Sequence, residues 1–125
     1  MDIQTHQRID ADLCGRPVRL EDGFSLVSLL TTPRMSVDAL GLVHGGFIFG
    51  LADYAAMIAV NHPHVVLGAA DVKFIKPVRV GETILAEARQ TRAEGKKRFV
   101  SVQIMRDEEK VFEGAFVCFV LKQGP

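Results

Sequence analysis

The sequence predicts an α+β fold in which one long central helix is wrapped by a curved antiparallel β-sheet. Three observations carry that expectation. Residues 44–61 form the one long helical stretch, and its apolar side chains (Phe47, Ile48, Phe49, Leu51, Tyr54, Ala55, Met57, Ile58, Val60) fall on every face. A helix of that kind has to be covered all round. The segments that follow it have strand character and short turns between them, which makes consecutive strands antiparallel neighbours. Finally, 125 residues suffice for a single core but not for two.

Residues 2–12 are polar and are expected as a short helical turn or a mobile arm. Residues 18–21 and 24–31 are two strands joined at Asp22-Gly23, a strong hairpin signal. Residues 33–41 have no period and are expected as a loop. The helix then ends at Asn61-His62-Pro63, where proline cannot continue the hydrogen-bond ladder and Asn61 is a natural cap. Residues 65–78 alternate at their end, Asp71 and Lys73 against Val72 and Phe74, and Gly81 breaks the strand. In residues 83–91, Ile84, Ala86 and Ala88 face one way; in 98–106, Val100, Val102 and Ile104 do. Asp107-Glu108-Glu109 turns the chain into residues 111–121. That last strand is apolar on both faces, so one side is expected on the helix and the other against a second subunit. One apolar helix inside such a sheet is a hotdog arrangement. The whole of 1–125 is expected to be one domain, without repeats or linkers.

Composition narrows the function. Fifteen basic residues balance fifteen acidic ones, so no long-range attraction to nucleic acid or to an anionic membrane is expected. The polar start argues against a signal peptide, and an acidic residue inside the apolar helix argues against a membrane span. Cys14 and Cys118 lie far apart and are expected reduced, in a cytoplasmic protein, with Cys118 as a small core residue.

The chemistry concentrates in His44-Gly45-Gly46-Phe47-Ile48-Phe49-Gly50-Leu51-Ala52-Asp53. Two glycines and a histidine open the helix, and Asp53 is the sole acid or base between Gly45 and Val60. Free N–H groups at a helix start, with the helix dipole behind them, stabilise a developing oxyanion without a charged side chain. Glycine at 45 and 46 allows close approach to the backbone. Burying an unpartnered carboxylate is costly, and no lysine or arginine stands three or four residues from Asp53 on the helix. As a working group it is a general base on water or a nucleophile on a carbonyl. Gly46 and Asp53 are seven residues apart, about 10.5 Å along one face. One carbonyl carbon does not fit within about 3 Å of both in a single chain. Two helices antiparallel across a two-fold axis would bring Gly46 of one beside Asp53 of the other.

These residues resemble the phenylacetyl-CoA thioesterase (PaaI-like) branch of the hotdog superfamily. The likeness rests on Gly41-Leu42-Val43-His44-Gly45-Gly46, Phe49-Gly50-Leu51-Ala52-Asp53 and Ala59-Val60-Asn61, then on Asp71 through Glu82 with Phe74, Pro77 and Gly81-Glu82. It spans roughly residues 13–121. The resemblance implies hydrolysis of an acyl-CoA thioester by a homodimer or dimer of dimers, with no metal and no cofactor, coenzyme A being part of the substrate. It implies that the Gly46 N–H meets the thioester carbonyl, that His44 shapes that site and that Asp53 drives the attack. The family tends to carry Asn six residues before the histidine. Here Asp38 stands there, removing an amide donor and adding negative charge, which shifts the mechanism or the preferred acyl group.

Further binding candidates are Gly45, Phe47, Phe49, Tyr54, Met57 and Phe74 for an aryl or medium-chain acyl group. Lys73, Lys76, Arg79 and the turn Lys96-Lys97-Arg98 are candidates for the CoA phosphates. His62-Pro63-His64 lacks a third ligand for a metal. Two alternatives stand beside the thioesterase: a non-catalytic acyl-CoA-binding sensor domain, and a hotdog enoyl-CoA hydratase or dehydratase using Asp38 and His44.

Overall fold

A computed structural model describes residues 1–123; the last two residues of the expected domain lie outside it. The elements run α1 (Ala11–Cys14), β1 (Arg16–Glu21), β2 (Phe24–Leu30), a 3-10 turn (Pro33–Met35), α2 (Gly45–Val60), β3 (Val65–Phe74), β4 (Thr83–Glu94), β5 (Lys97–Arg106) and β6 (Glu109–Val120). The six strands form one antiparallel sheet in the order β1-β2-β4-β5-β6-β3. The predicted hotdog architecture is present.

Helix α2 lies along the inner face of the sheet. Ile48, Leu51, Ala52, Tyr54, Ala55, Ala56, Met57, Ile58 and Ala59 are buried, and they meet Val27, Ile84, Ala86, Val102, Ile104, Phe112 and Phe116 from the strands. Four alanines on α2 let the backbone approach the sheet closely, and the buried Ser25 hydroxyl donates to the Ala55 carbonyl at 2.6 Å. One stripe departs from the expectation of burial all round. Gly46, Phe49, Gly50, Asp53 and Val60 are left half-buried or exposed, and a Cβ built on Gly50 would meet nothing within 4 Å. Helical spacing puts Gly46, Phe49, Gly50 and Asp53 on one side.

Several boundaries differ from the sequence reading, each for a physical reason. β3 stops at Phe74 because the Ile75 and Lys76 N–H groups both turn to the Val111 carbonyl and Pro77 has none to offer. The 33–41 loop contains a 3-10 turn that buries Met35 completely. Residues 2–12 are no mobile arm. The Asn61 side chain accepts from the Gln4 N–H at 2.7 Å and donates to the Asp2 carbonyl at 2.8 Å. Thr5 is buried, Ile3 and Ile9 pack against the core, and Asp10 caps α1 through the Asp12 N–H. Short polar stretches carry no periodic signal, so a strap held by one remote asparagine was not legible.

Candidate functional site

His44 is the N-cap of α2, extended at φ −62° and ψ 132°. Its Nδ1 accepts from the Gly46 N–H at 2.7 Å. A Cβ on Gly46 would sit 2.8 Å from that nitrogen, so glycine is what lets the ring fold over the helix start. This differs from the expectation that the Gly46 N–H faces a carbonyl, because the imidazole already occupies it. With Nδ1 accepting, the neutral ring carries its proton on Nε2, which makes Nε2–H a donor. No hydrogen bond of the described residues engages the Gly45 N–H. The donors at the helix tip are therefore Gly45 N–H and His44 Nε2–H, with the helix dipole behind them.

Around that tip lies an apolar pocket of about 320 Å³, lined by Leu42, Val43, Gly45, Ile48, Phe74 and Val78 among others. Phe74 closes it. A Cβ on Gly45 would be 3.3 Å from the ring, which also packs edge-on against Phe112 with centroids 5.1 Å apart. Phe74 is nonetheless 51% exposed. Phe47 stands edge-on to the His44 ring at 6.1 Å. Tyr54 and Met57 are elsewhere, buried in the core. Burial, and to a lesser degree Cys14, pushes the Tyr54 hydroxyl up. Phe49 rests on Phe116, centroids 5.6 Å apart.

Asp53 is two turns further along α2. Its Oδ1 is buried and has no hydrogen-bond partner among the described residues. Burial pushes its pKa up; the charge of His6 opposes that. The sequence reading missed His6, which lies far from the motif in the chain. Burial and the Asp53 charge also raise the thiol of Cys118, to about 12, so this cysteine is an inert core group.

Asp38 is exposed, and its Oδ1 accepts from the Leu40 and Leu42 N–H groups at 2.9 and 3.1 Å. Those bonds shape the loop that delivers Val43 and His44, whose N–H groups donate to Val78 and Met35 carbonyls. The carboxylate is thus committed to backbone, an Asx-type arrangement.

The basic candidates separate into two groups. Lys76 pairs with Glu109 at 2.5 Å, and Glu109 is shared with Arg106, which also reaches Glu82 at 3.1 Å. Lys76 and Arg106 hold the Glu109 carboxyl below its ordinary value. Arg79 is exposed beside Leu42 and has no ion pair among the described residues. Lys96, Lys97 and Arg98 are at the other end of the sheet. The Lys96 carbonyl accepts from Val120, next to the strand end that bonds His64, and Arg98 folds onto the Gly95 and Lys97 carbonyls. One protomer therefore does not gather all the basic residues around one phosphate group. His62 Nδ1 accepts from the His64 N–H at 3.0 Å, a turn contact after the helix. Asn61 caps α2 as expected, left-handed at φ 54°, with its N–H on the Met57 carbonyl at 2.8 Å. No helix of the described residues is long and apolar enough to cross a membrane.

Comparison with known proteins places this geometry. A protein of Aquifex aeolicus named methylthioribose-1-phosphate isomerase is 53% identical over 116 residues, 93% of this chain but 25% of that protein. The transcription factor FapR of Caldanaerobacter subterraneus is 31% identical over 92% of this chain and 58% of its own. This chain thus spans less than two thirds of either relative. The acyl-coenzyme A thioesterase PaaI of Escherichia coli is 29% identical over 84% of this chain and 79% of its own. Among solved structures, an uncharacterized protein of Pyrococcus horikoshii superposes with a TM-score of 0.98 at 49% identity, covering 99% of this chain and 95% of that one. The family model described as the thioesterase superfamily matches residues 40–113, from the loop before the helix into the last strand. The resemblance in the His-Gly-Gly and Asp53 motif is borne out at that level: this chain belongs to the thioesterase superfamily.

Proposed function

We propose that the chain hydrolyses an acyl-CoA thioester, as a homodimer whose two sites each combine the helix tip of one protomer with Asp53 of the other. The observation that carries this reading is the buried Asp53 oxygen without a partner. A binding domain gains nothing from a desolvated carboxylate, whereas a base gains basicity from losing water. The open stripe Gly46, Phe49, Gly50, Asp53 supports the shared site, because a second antiparallel helix laid on it would juxtapose tip and carboxylate.

In this reading the thioester carbonyl accepts from Gly45 N–H and His44 Nε2–H, and the acyl group enters the pocket under Phe74. Asp53 removes a proton from water while the water oxygen bonds to the carbonyl carbon. The tetrahedral intermediate then expels the CoA thiolate, which takes the proton back from Asp53, leaving the free acid and CoA. The anhydride route, with Asp53 itself bonding to the carbonyl carbon, uses the same geometry. Label found in the Asp53 carboxyl after a single turnover in ¹⁸O-water identifies the anhydride route with water attacking the Asp53 carbonyl, since the general-base route delivers label to the free acid alone. Arg79 near the tip, and Lys96 and Lys97 brought across from the partner's far end, are the cations proposed for the CoA phosphates. The reaction needs substrate and water alone.

A second reading has its own observation. The FapR match exceeds the thioesterase match in identity, and the Gly46 N–H is capped by His44. Both suit a regulator's ligand-binding domain that holds an acyl-CoA without turning it over. The hydratase reading has no comparable support, because Asp38 is bound to the loop backbone. Thiol release from a panel of acyl-CoAs, with wild type and Asp53→Ala, decides between them. Turnover that falls by at least two orders of magnitude in Asp53→Ala is the thioesterase result. Saturable binding with no thiol release from any substrate is the regulator's.

A further inference from the structure

We propose that Arg106 is a positioning residue for the tip of α2, acting through Glu82 and the backbone of residues 77–79. The proposal deepens the reading above and rests on it for its catalytic consequence, while the mechanical coupling stands on hydrogen bonds alone. Residues 75–82 link β3 to β4, and Ile75, Lys76, Pro77 and Val78 line the pocket beside Gly45. Both ends of this segment are held by the rest of the fold. The Ile75 and Lys76 N–H groups donate to the Val111 carbonyl, and the buried Thr31 hydroxyl reaches the Arg79 and Glu82 carbonyls at 3.0 and 2.8 Å. In the middle, Pro77 has no N–H to offer, and its carbonyl accepts from Arg106 Nη1 at 2.7 Å.

The same Nη1 donates to Glu82 Oε1 at 3.1 Å, and that oxygen accepts from the Arg79 N–H at 2.7 Å. The Arg79 N–H and the Val78 carbonyl belong to one peptide plane, which is rigid. Its carbonyl side accepts from the Val43 N–H at 2.9 Å, and Val43 precedes His44, the cap of α2. One nitrogen thus orients two successive peptides, the first directly and the second through Glu82. The second peptide holds the residue before the cap. Arg106 is itself well fixed. Its other terminal nitrogen pairs with Glu109, which stands opposite it across the β5–β6 ladder. Its side chain is 18% exposed, the least of any ion-pair member among the described residues, so solvent and salt screen it less than the surface pairs. At the other end of the loop the Val80 N–H donates to the Gly41 carbonyl at 2.8 Å, a bond that does not pass through Arg106. Losing the arginine therefore slackens the His44 end, where the Gly45 N–H and His44 Nε2–H must meet one oxygen.

Hydrogen exchange of single amides, read by NMR on the full chain, tests the coupling in wild type, Arg106→Lys, Glu82→Gln and Glu82→Ala. Lysine keeps the charge but not the planar fork, glutamine keeps an oxygen for the Arg79 N–H, and alanine removes it. Arg106→Lys and Glu82→Ala are expected to speed exchange at Val43 by about tenfold or more relative to the Asn61 amide, the scale of losing one charge-assisted bond. The Asn61 N–H donates to the Met57 carbonyl at the far end of α2 and serves as the reference. Glu82→Gln should stay close to wild type. Adding Arg106→Lys to Glu82→Ala should change little further, because both break the same connection. In thiol release, Arg106→Lys should lose between about 10- and 10²-fold in kcat, the cost of displacing donors slightly. The acid limb of its pH profile should not move, because Asp53 is untouched. Unchanged Val43 exchange in Arg106→Lys and Glu82→Ala overturns the proposal, and so does equal acceleration at Val43 and Asn61. Full kcat in a variant whose Val43 amide has loosened overturns it as well. If wild type releases thiol from no acyl-CoA, the thioesterase reading fails while the exchange rates still decide the coupling.

Discussion

Gly45 is the residue at which the account of the helix tip is most sharply testable. It is the first residue of α2, and its N–H has no acceptor among the described residues. Proline is favoured at that position, and His44 before it already has the extended backbone that proline demands. Gly45→Pro therefore deletes one donor while keeping the fold, with a modest shift of the half-exposed Phe74 ring. Thiol release should fall about 10²–10³-fold in kcat, the usual cost of losing an oxyanion donor, at nearly unchanged thermal midpoint. Asp53 makes the complementary prediction about stability. Burial raises its folded pKa above the unfolded value, so between the two the folded state holds the extra proton. Stability contributed by this group is then lost as pH rises through that window. Asp53→Asn removes the dependence. The stability of Asp53→Asn relative to wild type, followed by urea unfolding, should grow with pH across the window and level off above it.

Elements were legible where period and punctuation agreed. The helix declared itself by apolar residues closed off at Asn61-His62-Pro63, and the β1–β2 hairpin by Asp22-Gly23, with Gly23 at φ 73°. What could not be seen was where elements touch. The capping of Gly46 by the His44 ring, the loop bonds of Asp38 and the docking of residues 2–6 on Asn61 are contacts of side chains with backbone, without a pattern in the sequence. The two basic groups could not be assigned to opposite ends before the hairpin direction was known. β3 illustrates an element whose irregularity has a cause. Its pairing with β6 shifts between Leu67 and Ala69, and a Cβ on Gly68 would come within 2.1 and 2.4 Å of the Phe119 ring. Gly68 is exposed, but the ring edge occupies the place a Cβ would take. Gly68→Ala has to displace that ring, and is expected to cost about 1–3 kcal/mol in denaturant unfolding.

The whole molecule presents an α2 stripe that its own sheet does not cover, and two sheet edges, β1 and β3. Gly46 and Asp53 on that stripe are too far apart in one chain to act on one carbon, so the proposed chemistry is a property of the pair of chains. Subunit complementation measures this most directly. Gly45→Pro and Asp53→Asn proteins, each nearly inactive, are unfolded together in equal amounts and refolded. If the tip of one protomer works with Asp53 of the other, each mixed dimer holds one intact site, and the mixture should recover about a quarter of wild-type activity by random pairing. A mixture no more active than its two components, with mixed dimers shown to have formed by native mass spectrometry, would contradict the shared site.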